Sequence, residues 1–258
     1  MITVHDLYKR YGDKAVLNGV NACFPRQQLT SLIGPNGAGK TSLLMMLARL
    51  LKPSSGEIRL DGQSIGHLSI GAYARRVATL RQAVEVNLRL TVDELVAFGR
   101  FPYSRGALTR EDRQAIDQAI AFLALEPLRQ AYLDELSGGQ RQLAFLAMTI
   151  AQQTDYLLLD EPLNNLDMRH AVQIMRNLRR LCDEFGRTVI LVVHDINFAA
   201  AYSDHIVAMQ GGRVHCSGSV DQVVTEQQLQ ALYGLDFEIS HSASGRLCNY
   251  FNPPGELR

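Results

Sequence analysis

The chain has no excess charge of either sign, because its 26 lysine and arginine residues are cancelled by 26 aspartate and glutamate residues. No global positive field draws it to nucleic acid or to anionic lipid, and only a local basic patch is left for such contacts. Cysteine is scarce. Cys23, Cys182, Cys216 and Cys248 lie far apart and include no C-x-x-C pair. This argues against a zinc site and a disulfide framework and suits a reducing cytoplasm. Long apolar runs are missing too. Stretches such as Thr188 to Val193 are far short of the ~20 residues that span a bilayer, so any membrane role needs a partner that does the spanning. The first residues, MITVHDLYKRYG, lack a basic segment followed by an apolar one, and nothing there reads as a secretion signal. There is no internal repeat and no low-complexity linker.

What is present is ample for a core, with 47% hydrophobic residues over 258 positions. Segments of strand type, ITVHDL, AVLNGVNACF and LTSLI, precede a glycine-rich loop, and a helix is expected from about Lys40 to Leu51. Between about Gln82 and Ala151 the pattern is mostly helical, with candidates at Val92–Phe98, Arg110–Leu125 and Gly139–Ala151. Strands return at DYLLLD, TVILVV, HIVAMQ and RVHCSG, with helices at about Met168–Phe185 and Ile196–Tyr202 between them. The first two of these strands are short continuous apolar runs of the kind buried in a parallel sheet, so the alternation predicts an α/β fold with a helical insertion. After about Leu235 the pattern fades, and NPPGELR reads as a loose tail.

The loop Gly34-Pro35-Asn36-Gly37-Ala38-Gly39-Lys40-Thr41 fits G-x-x-x-x-G-K-[ST] and sits between a strand and a helix. Glycines let backbone N–H groups wrap phosphates, Lys40 reaches the β- and γ-oxygens, and the Thr41 hydroxyl can ligate Mg²⁺, with Ser42 beside an adjacent phosphate. YLLLDEP places Asp160 at the end of a buried strand as a Mg²⁺ ligand and Glu161 next to it, where it can polarise an attacking water. An acidic pair at a strand end is by itself compatible with solvated surface, and the phosphate loop is what favours the catalytic reading. His194 ends the next apolar run. Because parallel strands bring their C-terminal ends to one crevice, it is a candidate γ-phosphate sensor.

One further helix start needs explaining. In DELSGGQRQLAF two glycines open an amphipathic helix, whose N-terminus suits an anion, although the chain already has a phosphate loop. Ser137 as a plain N-cap is the alternative. The ordered set of motifs resembles the nucleotide-binding subunit of an ABC (ATP-binding cassette) transporter over nearly the whole chain. The resemblance implies a P-loop cassette with a mostly parallel core sheet, an N-terminal antiparallel β part and a helical insertion. It makes residues 1–258 a single ATP-binding domain, with a catalytic core at about 1–81 and 152–240, a helical subdomain at about 82–151 and a tail at 241–258. It implies that Tyr11 stacks on adenine, where simple packing is the alternative, and that Gln82 links the metal to the insertion. Leu136-Ser137-Gly138-Gly139-Gln140 becomes the family signature. Asp167 closes the dimer loop NNLD, where capping the next helix is the alternative. Two copies would face each other head to tail, the signature of one closing over the ATP and Mg²⁺ of the other.

Finer likeness lies in TVDELVAFGRFPYSRGALTREDR, DEPLNNLDMRHAVQIMR and VVHDINFAAAYSDHIVAMQGGRV. These stretches resemble the ATPases of bacterial iron–siderophore importers, which are related to those for haem and cobalamin. This implies a homodimer held peripherally on the cytoplasmic face of the inner membrane beneath two permease subunits, served indirectly by a substrate-binding protein. Docking would fall near Gln82–Arg89 and Phe101–Gly106. The chain departs from many relatives in having Arg81 where they have proline, and its NNLD has asparagines where many cassettes have serine or threonine, which fits the siderophore-importer pattern. A soluble ABC clamp lacks support, since no coiled coil or second cassette is present and the net charge is zero. A GTPase switch lacks its N-K-x-D motif. A haem, cobalamin or zinc cargo stays open.

Overall fold

The computed structural model describes residues 1–81, 89–242 and 245–251. Gln82 therefore lies outside the described residues, as do most of the first docking segment and the NPPGELR tail. The chain divides into two compact units, one made of Met1–Ile65 with Ile190–Arg258, the other of Gly66–Val189.

In the first unit, Ile2–Tyr11 pairs antiparallel with Lys14–Phe24 on one side and Ser55–Leu60 on the other, and Gln63–Ser64 completes a four-stranded sheet. Alternation puts Ile2 and Val4 in the core and leaves His5 exposed. The strand Leu29–Ile33 is buried at all five positions. It runs parallel to His205–Gln210, from Thr30 opposite His205 to Ile33 opposite Ala208, and Arg213–Ser219 adds an antiparallel neighbour. On its other flank lies the end of Thr188–Val192, where the Val193 N–H donates to the Leu32 carbonyl at 3.2 Å. Past Leu235, where the sequence pattern fades, Glu238–Ser242 and Gly245–Asn249 form a hairpin. It is tied to the helix Ile196–Tyr202 because the Asn197 amide accepts from the Cys248 N–H at 2.7 Å and donates to its carbonyl at 3.2 Å.

In the second unit, Val77–Leu80 runs parallel to Tyr156–Leu159, and Val92–Phe98, Arg110–Phe122, Gly138–Ala151 and Met168–Asp183 are its main helices. Their starts are set by side chains. Thr91 with Glu94 and Thr109 with Asp112 form capping boxes, each satisfying two N-terminal backbone donors. Three helices are shorter than their patterns predict, among them the one opened by Met168, which stops at Asp183. The one opened by Lys40 stops at Leu47 and the one opened by Arg110 stops at Phe122, because Arg49 (φ 59°) and Ala124 (φ 54°) turn left-handed just beyond.

Candidate functional site

The phosphate loop leaves the buried strand Leu29–Ile33 through Gly34, whose φ is 136°. A Cβ there would stand 2.0 Å from the Met209 carbonyl oxygen, so only glycine lets the loop pass the neighbouring strand. Gly39 is held the same way, its φ being 97° and the Leu17 side chain 2.5 Å from where a Cβ would be. Asn36 and Gly37 are exposed at the crest. Gly39 is also the N-cap of the helix Lys40–Leu47 and offers no side-chain cap to its first turn, which leaves a helix start suited to an anion. Lys40 is buried, and its Nζ donates to the carbonyl oxygens of Gly34 at 2.7 Å and Pro35 at 3.0 Å. Those carbonyls occupy the cation where phosphate oxygens would. Thr41 and Ser42 follow on the same first turn.

His194 is exposed one residue past Val193. Since Val193 bonds Leu32, the histidine and the phosphate loop leave two neighbouring strands at the same edge. Asp195 then caps the next helix by accepting from the Asn197 N–H at 2.7 Å. Tyr11 stands at the tip of the hairpin whose second strand packs under Gly39. Its ring is 54% exposed, with the Lys9 ammonium 4.7 Å from the ring centroid.

In the second unit Asp160 is buried just past Tyr156–Leu159, and its N–H donates to the Leu80 carbonyl at 2.9 Å. Glu161 holds a left-handed backbone, φ 50°, which is strained for a side chain of this kind. Its carboxylate accepts a hydrogen bond from the Asn164 amide. Asn164, one of the NNLD asparagines that stand where many cassettes have serine or threonine, thus touches the candidate base.

Ser137 is the N-cap of Gly138–Ala151 in a full capping box, accepting from the Gln140 N–H at 3.3 Å while the Gln140 side chain accepts from the Ser137 N–H at 2.9 Å. Capping explains Ser137 and Gln140 but not both glycines. A Cβ on Gly138 would meet nothing within 4 Å, so packing within this chain does not demand that glycine. Gly139 is different, because the His170 ring would lie 2.5 Å from its Cβ. Asp167 does cap Met168–Asp183, accepting from the His170 N–H at 2.9 Å. It also holds the ring, with His170 Nδ1 2.9 Å from both carboxylate oxygens. These contacts hold the Asp167 carboxyl below the usual carboxylate range, the backbone bond from His170 contributing most and its ring next. Sequence reasoning missed His170, which sits among helix-surface residues, and its only signal is the i+3 spacing from Asp167.

A cavity of about 450 Å³, lined largely by apolar side chains such as Ala119, Phe122, Leu157 and Phe185, contains none of the motif residues. Among the described residues no three His, Cys, Asp or Glu side chains gather to cage a metal. Thr41 in the first unit and Asp160 in the second each carry a hard oxygen donor of the kind Mg²⁺ takes, a cation that needs one or two protein ligands and completes its shell with water and substrate phosphates.

Comparison with known proteins finds clear relatives. The ABC transporter family matches residues 17–164. A petrobactin import ATP-binding protein of Bacillus subtilis is 48% identical over 98% of this chain and all of its own length. The ferric enterobactin transport ATP-binding protein of Escherichia coli is 38% identical, over 87% of this chain and 84% of that one. Among solved structures, the dimeric bacterial ABC transporter cassette MJ0796 superposes with a TM-score of 0.76 at 28% identity, covering 85% of this chain and 99% of that one. A metal-chelate type ABC transporter in an inward-facing conformation shares the fold, with a TM-score of 0.83 at 23% identity over 96% of this chain and 95% of that one.

Proposed function

The chain belongs to the ABC transporter family, and we propose that it is the ATP-hydrolysing subunit that powers import of an iron(III)–siderophore complex across a bacterial inner membrane. The observation that carries the ATPase reading is Lys40, folded onto the Gly34 and Pro35 carbonyls at a helix start without a side-chain cap. Phosphate oxygens would replace those carbonyls and receive the first-turn N–H groups. The cargo rests on likeness, since the relative of highest identity described above is named for petrobactin import and another for ferric enterobactin transport.

In this reading Tyr11 stacks on adenine. The loop from Gly34 through Pro35, Asn36, Gly37, Ala38 and Gly39 cradles the phosphates with Lys40, Thr41 and Ser42. Thr41, Asp160 and Gln82 would each offer an oxygen to Mg²⁺, which when bound would neutralise charge on the phosphates. Glu161 takes the proton of the attacking water, and His194 orients the γ-phosphate. Ser137, Gly138, Gly139 and Gln140 act on nucleotide held by a second copy, and Asp167 works across the same contact. The glycine at 138 supports this, since it faces open space and leaves room for a partner's nucleotide. Met168, beside Asp167, is 81% exposed, as a residue that another subunit covers would be. Hydrolysis removes the γ-phosphate that holds the copies together, so the nucleotide switches the dimer.

Among the described residues no helix is long and apolar enough to cross a membrane. Peripheral attachment on the cytoplasmic face, beneath two permease subunits fed by a binding protein, fits that. Uptake of radiolabelled iron as ferric petrobactin, ferric hydroxamate or ferric enterobactin, alongside haem and cobalamin uptake, tests the reading in cells with and without the gene. Loss of one ferric siderophore supports it. Loss of haem or cobalamin uptake alone moves the chain to a related importer.

A further inference from the structure

Arg100 follows the helix Val92–Phe98 and directly precedes the short helix Phe101–Ser104. Its side chain is only 6% exposed, and its guanidinium donates through both Nε and Nη1. Nε donates to Asp112 Oδ1 at 2.8 Å, and Nη1 donates to the Ala151 carbonyl at 2.8 Å and to Gln153 Oε1 at 3.2 Å. The Tyr103 ring covers one face, 4.1 Å from centroid to guanidinium carbon. Asp112 is anchored in turn, its Oδ2 accepting from the Thr109 N–H and hydroxyl at 3.0 Å each. Burial pushes the Asp112 carboxyl up, but the bonds from Thr109 and Arg100 outweigh it and hold the group below the usual carboxylate range.

Two further contacts fix the same segment. A Cβ on Gly99 would lie 2.1 Å from the Met148 carbonyl oxygen, so the backbone before Arg100 rests directly on the helix Gly138–Ala151. Arg75 Nε donates to the Pro102 carbonyl at 3.1 Å and lies over the Tyr103 ring. On the outer side, Phe98 and Phe101 are more than half exposed.

A buried ion pair is a poor source of stability, since apolar residues of similar volume often serve as well. What an arginine adds is geometry. Its planar fork joins a carboxylate and a helix C-terminal carbonyl at once, which a lysine does not do. Ala151 ends the helix that Ser137 caps, so the fork reaches the far end of the signature helix, about 20 Å from Ser137 at 1.5 Å per residue.

We propose that Arg100 is a positioning residue that makes the exposed Phe98–Phe101 surface and the signature helix one rigid body, so that a permease seated on Phe101 sets where Ser137 and Gly138 meet the second copy's nucleotide. This rests on the reading that the chain works beneath a permease. Rearrangement on one side then reaches the other without loss in a soft joint.

The test compares wild type, R100K and F101A, each as isolated subunit and as complex with its permease. R100K keeps a charge beside Asp112 and loses the fork. For R100K we expect a melting temperature lowered by a few degrees, basal hydrolysis within twofold when assayed well below it and retained co-purification with the permease, but cargo-stimulated turnover reduced at least tenfold and transport lost with it. F101A should instead lose co-purification. Stimulated turnover of R100K that stays at the wild-type level overturns the proposal. So does a parallel fall of basal and stimulated hydrolysis with the melting temperature, which would make Arg100 merely structural. A wild-type chain that binds no permease and shows no stimulated hydrolysis removes the importer reading itself, and the proposal with it.

Discussion

Gly139 and His170 share one volume: the imidazole stands where the glycine's side chain would be, 2.5 Å from a Cβ built there. Because Asp167 grips that ring through Nδ1, His170 links Gly139 to Asp167. Gly139→Ala should displace the ring from Asp167 and cost about 1–3 kcal/mol, the usual range for overpacking. The thermal midpoint and ATP-dependent dimerisation should both fall. Gly139→Ala combined with His170→Ala should recover the midpoint in part, and an unimproved double variant would remove His170 as the obstacle.

Glu161 is held in a left-handed backbone with its carboxylate on Asn164. Glu161→Gln should retain ATP, lose hydrolysis by about 10²–10⁴-fold as expected for a general base, and accumulate an ATP-bound dimer on size-exclusion chromatography. Unchanged turnover would take Glu161 out of its role. Asn164→Ala should reduce turnover less, with ATP affinity preserved, since it frees the base without removing it.

The Arg100–Asp112 pair gives the fold an acid limb. The Asp112 carboxyl lies below its ordinary value in the folded chain. Its stabilisation is therefore present above the unfolded pKa of about 3.9 and lost as pH falls through the folded value. Asp112→Ala should cost about 3–5 kcal/mol near neutrality, because it leaves a buried cation unpaired. The gap from wild type should shrink below pH 4 in urea titrations. An equal gap at both pH values would contradict this origin.

Much of the candidate site is legible in the sequence because its residues lie in short local patterns. The phosphate loop, the acidic pair and Ser137 each follow from a few consecutive residues, and the structure gives Lys40, Asp160 and Ser137 the strand-end or helix-start settings that their patterns require. What escaped depends on contacts distant in sequence. His170 faces Gly139 across 31 positions, and Arg100 reaches Ala151 across 51. The hairpin Glu238–Asn249 has weak alternation and is held by the Asn197 amide acting as a strand-like partner. No periodicity announces such an anchor. The short strand Val77–Leu80 takes its place by pairing with Tyr156–Leu159.

The central claim is that the signature of one copy serves the nucleotide of the other. Two individually inactive chains test it, Ser137→Arg and Lys40→Ala, each in the Glu161→Gln background, mixed so that heterodimers form and can be isolated. If the site is shared, the heterodimer has one intact pair, the Lys40 of the Ser137→Arg chain facing the unaltered signature of its partner. A photoreactive ATP analogue should then be retained on the Ser137→Arg chain in a stable dimer, while neither parent homodimer retains it. Heterodimers that trap no nucleotide would contradict the account, because each chain would then need its own Ser137 and its own Lys40 together.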